Sequence, residues 1–124
     1  MSSPTAHAYA AAHTALATPR AIEHRLFGEI TGRLAAGAEA EGERGFAALA
    51  DALHQNQRLW MALALDLAQD GNGLPETLRA QLLSLAAFVH NHTRRVLARE
   101  ATVEPLVAIN TSVMRGLRGD RAAA

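Results

Sequence analysis

The sequence contains no cysteine and no lysine, and its aromatic side chains are few. Without cysteine, a disulfide framework and thiolate metal sites are excluded, and a cytosolic location is more natural than a secreted one. Hydrophobic residues reach 49% while aromatic residues reach only 4%. A core must therefore be assembled from Leu, Ala, Val and Ile, a mixture that favours helices.

The chain also lacks an excess of charge and a long apolar run. The formal net charge is +0, so no global field attracts nucleic acid or anionic lipid. The most apolar segments, residues 59–68 and 82–89, are interrupted by Asp66 or too short for a bilayer, which needs about 20 apolar residues. Residues 1–8 do not form a secretion signal. We therefore expect a cytoplasmic protein without a membrane span.

Apolar spacing and helix-breaking residues predict an all-α fold of about five helices with no strand. A Thr-Pro pair at Thr18 and Pro19 and the prolines at 75 and 105 are typical helix starts. The predicted helices cover about residues 5–16, 19–37, 46–67, 75–96 and 104–116. At 124 residues the chain forms a single-domain bundle, with an ordered core from about 9 to 117 and frayed tails.

The longest predicted helix follows a segment, residues 37–45, in which three glycines alternate with glutamates. Backbone entropy and charge repulsion both predict a flexible connector there. The helix itself carries the clearest pattern of the sequence, because its apolar stripe follows alternating spacings of three and four. The stripe consists of Phe46, Leu49, Leu53, Asn56, Trp60, Leu63 and Leu67.

Residue pairs that resemble chemical sites are poorly placed for chemistry. His90 and His92 are two positions apart, so they point to different sides of a helix and do not predict a metal site. Asp66 and Asp70 share a face, but near a helix end they are more simply solvated carboxylates. No phosphate-binding loop or nucleophile motif is present. We therefore expect no enzyme activity, no cofactor and no metal.

Two asparagines lie where an apolar residue is expected, Asn56 within the stripe and Asn110 in the last helix. Burying an amide without partners costs roughly 1–3 kcal/mol. Either backbone groups in the core satisfy each amide, or the stripe is partly open and the amide meets a partner. Trp60, one turn after Asn56, is likewise either a core residue or an interface anchor.

A series of short elements matches a known family in both order and spacing. The elements are Pro19-Arg20 with Glu23, Asn56 with Leu59-Trp60, Asp66-Leu67, Leu74-Pro75 with Leu78-Arg79, Ile109-Asn110, and Gly116-Leu117. Together they resemble the bacterial flagellar biosynthesis regulator family FlaF, from about Tyr9 to Leu117. The resemblance implies a small cytoplasmic protein of alphaproteobacteria that controls flagellin production and export. It also implies a second regulator, FlbT, which is associated with flagellin messenger RNA.

This resemblance suggests a chaperone-like adaptor that binds flagellin and couples its synthesis to secretion. The terminal segments of flagellin are amphipathic helices, which apolar grooves bind. The candidate partner-binding residues are Asn56, Leu59, Trp60, Leu63, Leu74, Pro75, Leu78, Arg79 and Asn110. The alternative is a post-transcriptional regulator that acts on flagellin messenger RNA with FlbT, although the C-terminal arginines lack interleaved aromatic side chains for base stacking.

Overall fold

The computed structural model describes residues 19–123, with side chains from His24 to Gly116. This part of the chain contains no strand, and its four helices are α1 (Pro19–Glu39), α2 (Gly42–Leu67), α3 (Glu76–Leu97) and α4 (Glu104–Ala123). The predicted all-α class is confirmed. The predicted helix at residues 5–16 lies outside the described residues. None of the described helices is long and apolar enough to cross a membrane.

The link between α1 and α2 is shorter than the sequence predicts. Helix α1 continues to Glu39 and α2 begins at Gly42, so the irregular connector expected at residues 37–45 is wrong in extent. A turn this tight is possible because Gly42 adopts a positive φ of 78°. It also needs Gly45, where an added Cβ would lie only 2.7 Å from the carbonyl carbon of Ala40.

Helix α3 ends in a Schellman motif that has an arginine where glycine is usual. Arg99 has a φ of 63°, and its N–H donates to the Val96 carbonyl at 2.9 Å. The N–H of Glu100 donates to the Arg95 carbonyl at 2.8 Å. The guanidinium of Arg99 lies 4.0 Å from the ring centroid of Phe46, so this helix end is attached to the start of α2.

Helix α4 continues through Gly116 to Ala123, and the predicted helix end at Gly116 is therefore wrong. Glycine inside a helix costs about 1 kcal/mol relative to alanine. That cost weakens a helix without ending it. A helix ends at glycine when the backbone takes the left-handed conformation, and Gly116 is not among the glycines with a positive φ.

The four helices form a bundle with one loosely packed side. Helix α1 packs against α2 and α4, and α2 packs against α3, whereas α3 and α4 share the fewest contacts of the neighbouring pairs. Phe27 and Trp60 meet edge to face in the centre, with ring centroids 5.7 Å apart. The large apolar side chains buried there are Phe27, Leu34, Leu53, Trp60, Leu67, Val89 and Leu106. The predicted stripe of α2 faces this core from Leu49 to Leu63, whereas Phe46 at its start is half-buried and contacts Arg99.

Candidate functional site

A buried polar cluster joins three helices at the centre of the bundle. The indole Nε1–H of Trp60 donates to Oδ1 of Asn110 at 2.9 Å. The Nδ2 group of Asn110 donates to Oδ1 of Asn56 at 2.8 Å and to Oγ1 of Thr31 at 3.0 Å. Asn110 therefore uses its acceptor and both of its donors, and the partners are side chains rather than backbone groups.

Burial bears on the two roles that the sequence leaves open. Asn56 and Asn110 are fully buried, and Trp60 is 1% exposed, although Trp60 also lines a hollow between α2 and α3. In the part of the chain that the structure describes, Nδ2 of Asn56 has no hydrogen-bond partner. Leu59 is also buried, and the half-buried Leu63 packs against the core. These five candidate residues therefore contribute to the packing of the bundle.

The remaining candidates lie together where α3 begins. Leu74 and Leu78 are half-buried and line a surface groove. Pro75 is exposed at the N-cap of α3. Arg79 has a structural role, because its Nε–H donates to the carbonyl of Leu67 at 3.0 Å and so caps the end of α2. The structure therefore brings Leu74 and Leu78 to one site.

The groove lies between the first half of α3 and the later part of α4 and has a volume of about 260 Å³. Among the described residues, its lining is mostly apolar, with one amide and one hydroxyl and no ionisable side chain. The lining residues are Leu74, Leu78, Gln81, Leu82, Leu85, Ser112, Val113 and Gly116. Phe88, which is 44% exposed, lies one turn beyond Leu85 on the same side of α3.

The groove exists because α3 and α4 meet only near the turn that joins them. Close to that turn, Val96 and Leu106 are buried, and Nε2 of His92 lies 2.7 Å from the Thr102 carbonyl oxygen. Farther from the turn, Leu82 and Val113 are only half-buried. The apolar stripes of the two helices thus continue past the region where the helices pack together.

Sequence reasoning missed Leu82, Leu85 and Val113 as candidate site residues. Leu82 and Leu85 share the helical spacing of Leu78 and of the buried Val89, and Val113 follows the spacing of Leu106 and Ile109 in α4, so periodicity assigns all of them to the core face of a helix. Periodicity gives the face of a helix and does not give the distance to the next helix. The available signal was Gly116, since a residue without a side chain in the later part of α4 leaves space beside α3.

The histidine pair has the arrangement that its spacing predicts. His90 is exposed, whereas His92 is 7% exposed and stacks on Phe88 with ring centroids 5.2 Å apart. The two rings therefore lie on different sides of α3. Among the described residues, no three His, Asp or Glu side chains are grouped so that they could hold a metal ion.

One comparison with known proteins gives a match. A family model described as "Flagellar protein FlaF" matches residues 5–117, a range that includes both helices of the groove. No curated protein and no solved structure matches the chain.

Proposed function

Because the chain belongs to the FlaF family of flagellar proteins, we propose that it is a chaperone-like adaptor that binds flagellin before export. The α3–α4 groove receives an amphipathic terminal helix of flagellin. Binding in the cytoplasm couples flagellin synthesis to secretion, because the fraction of adaptor that is occupied rises when flagellin is made faster than it is exported.

The observation that carries this proposal is a mostly apolar surface groove between two helices of a protein of this family. Leu78 to Phe88 extend over about 15 Å at 1.5 Å per residue, which corresponds to about three turns of a bound helix. A helix with apolar side chains at spacings of three and four would place them along Leu78, Leu82 and Leu85. In the unbound partner such a stripe is exposed to water and favours aggregation.

The lack of ionisable side chains among the described residues of the groove lining bears on the mode of recognition. Apolar burial is the main source of affinity for such a groove, and it responds weakly to salt. The polar groups at the groove, Gln81 and Ser112, can hydrogen-bond to the polar edge of a bound helix. The chemistry of this groove therefore fits an amphipathic helix better than a polyanion.

Calorimetric titration of the full chain with flagellin, and with its isolated terminal segments, tests the proposal. We expect saturable binding that Leu82→Glu weakens about tenfold or more, because a carboxylate would have to be desolvated in the groove. Ala48→Glu is the matched control, since it adds the same charge at an exposed position of α2. Absence of binding, or equal affinities for the two variants, would contradict the proposal.

The same titration separates this function from direct binding of messenger RNA, the alternative considered from the sequence. Contacts with phosphates make affinity fall steeply as salt increases. We expect the affinity for flagellin to change little as the salt concentration is raised. An affinity for flagellin messenger RNA with a steep salt dependence, together with no affinity for flagellin, would favour the alternative with FlbT.

A further inference from the structure

A second apolar surface lies on α2, away from the groove. Met61 is 54% exposed and Leu65 is 56% exposed, and the two residues are one helical turn apart. With Phe88, they are the large hydrophobic side chains that are exposed in the described part of the chain. Contiguous exposed apolar side chains often mark an interaction surface. We call this pair and the hollow beside it the Met61 face.

The hollow lies between α2 and α3 and has a volume of about 290 Å³. Its lining is mostly apolar, with Met61, Leu83, Trp60, Val89 and the alanines at positions 64, 86 and 87, and its polar residues are Gln57 and His90. Alanine side chains leave room for a larger side chain from outside. The Met61 face thus carries both a protruding leucine, Leu65, and a depression of suitable chemistry for it.

A surface that carries both a protrusion and a matching depression is suited to a two-fold contact with its own copy. If two α2 helices pack antiparallel so that Met61 of one copy meets Leu65 of the other, residue 58 of each lies opposite residue 68 of the other, next to the turn that follows α2 and contains Asp70. Arg58 and Asp70 are both exposed.

Charge therefore favours the antiparallel arrangement, because it brings Arg58 of each copy close to Asp70 of the other. The parallel arrangement would place Arg58 beside Arg58. The formal net charge of +0 adds no overall repulsion between two copies. A partner of a different sequence is not needed to satisfy either the apolar or the charged groups of this face.

We propose that the Met61 face binds a second copy of the chain, forming a two-fold dimer in which Leu65 of each copy occupies the hollow of the other. The hollow and the groove lie on different sides of α3, since Leu83 and Ala87 line the hollow whereas Leu82 and Leu85 line the groove. The dimer therefore leaves both grooves open.

Sedimentation velocity of the full chain, over a concentration series without any partner, tests the dimer. We expect a reversible shift from one chain mass to two, with Leu65→Glu remaining monomeric. Ala48→Glu is the matched control and dimerises like the wild type. Circular dichroism establishes that Leu65→Glu is folded, as expected for a change at an exposed position. A wild type that is monomeric up to high micromolar concentration would overturn the proposal.

Charge exchange tests the antiparallel arrangement. Arg58→Glu and Asp70→Arg should each weaken dimerisation, by about fivefold for exposed pairs. The double variant Arg58→Glu/Asp70→Arg should recover most of the loss, because it restores opposite charges across the two-fold axis. A double variant weaker than both single variants, or Leu65→Glu dimerising like the wild type, would overturn the proposal. These measurements contain no flagellin, so their failure would leave the groove proposal unaffected.

Discussion

Helix α4 contributes to two regions that are built from the same kind of apolar stripe. One region is buried in the core, and the other lies at the surface. At Asn110 it lies against α1 and α2, and each polar atom of that side chain is hydrogen-bonded. At Val113, one turn later, it faces an open groove. The stripe is therefore core where another helix is close and surface where the neighbouring helix diverges.

The two regions also differ in how they use polar groups. The buried centre fixes its helices through hydrogen bonds that join Trp60, Asn56 and Thr31 to a single amide. In the groove, Gln81 and Ser112 accompany leucine side chains, and a bound helix would supply the missing neighbour. The buried polar cluster therefore fixes the arrangement of the helices, whereas the α3–α4 groove is the region that we propose for binding.

The largest effect should follow truncation of the central ring. Trp60→Ala removes a buried indole, its edge-to-face contact with Phe27 and its hydrogen bond to Asn110. We expect a loss of about 3–5 kcal/mol in the free energy of unfolding. Urea denaturation followed by circular dichroism measures it. A loss below about 1 kcal/mol would place the ring outside the core.

A smaller effect should separate the two buried asparagines. Asn110→Ala removes the hydrogen bonds that Asn110 makes with the Trp60 N–H, the Asn56 side-chain oxygen and the Thr31 hydroxyl. Asn56→Ala removes only one of these hydrogen bonds. We expect Asn110→Ala to cost about 1–2 kcal/mol more than Asn56→Ala. Equal unfolding free energies for the two variants would show that the cluster is not centred on Asn110.

The end of α3 gives a prediction about backbone conformation. Arg99→Gly and Arg99→Ala both remove the guanidinium from the Phe46 ring, but only glycine adopts the positive φ of this position without strain. We expect the glycine variant to be more stable than the alanine variant by about 1 kcal/mol. Thermal unfolding of the two variants checks this, and an alanine variant of equal stability would contradict it.

The smallest effect on stability is expected in the groove. Leu78→Gln keeps a good helix former at a half-buried position, so the free energy of unfolding should fall by about 1 kcal/mol or less. The same urea titration measures the change. A loss similar to that of Trp60→Ala would mean that α3 and α4 close over this side chain, and the two regions would no longer differ.

Much of the fold can be predicted from local sequence signals. The predicted helix starts at Pro19, Pro75 and Glu104 agree with the structure to within one residue, because cap and proline preferences act over a single turn. Most of the stripe in α2, from Leu49 to Leu63, faces the core because helical period alone determines which residues share a side. The FlaF resemblance is confirmed by the family match over residues 5–117.

The features that local signals miss depend on contacts between distant parts of the chain. Pairing of Asn110 with Asn56 joins residues 54 positions apart, and nothing near either residue specifies the other. The short turn at Gly42 depends on close packing between Gly45 and Ala40. The groove depends on how far α3 diverges from α4. Sequence spacing does not record this distance, so the half-buried Leu82 and the buried Val89 follow the same pattern in the sequence.

Oxidative footprinting of the full chain with and without flagellin reports the exposure of individual side chains by mass spectrometry, and so shows directly whether the groove binds flagellin. We expect flagellin to reduce labelling of Leu78, Leu82 and Phe88, while Trp60 is weakly labelled in both states because it is buried. Unchanged labelling of the groove residues in the complex, or new labelling of Trp60, would mean that the groove is not the binding site or that the core opens on binding.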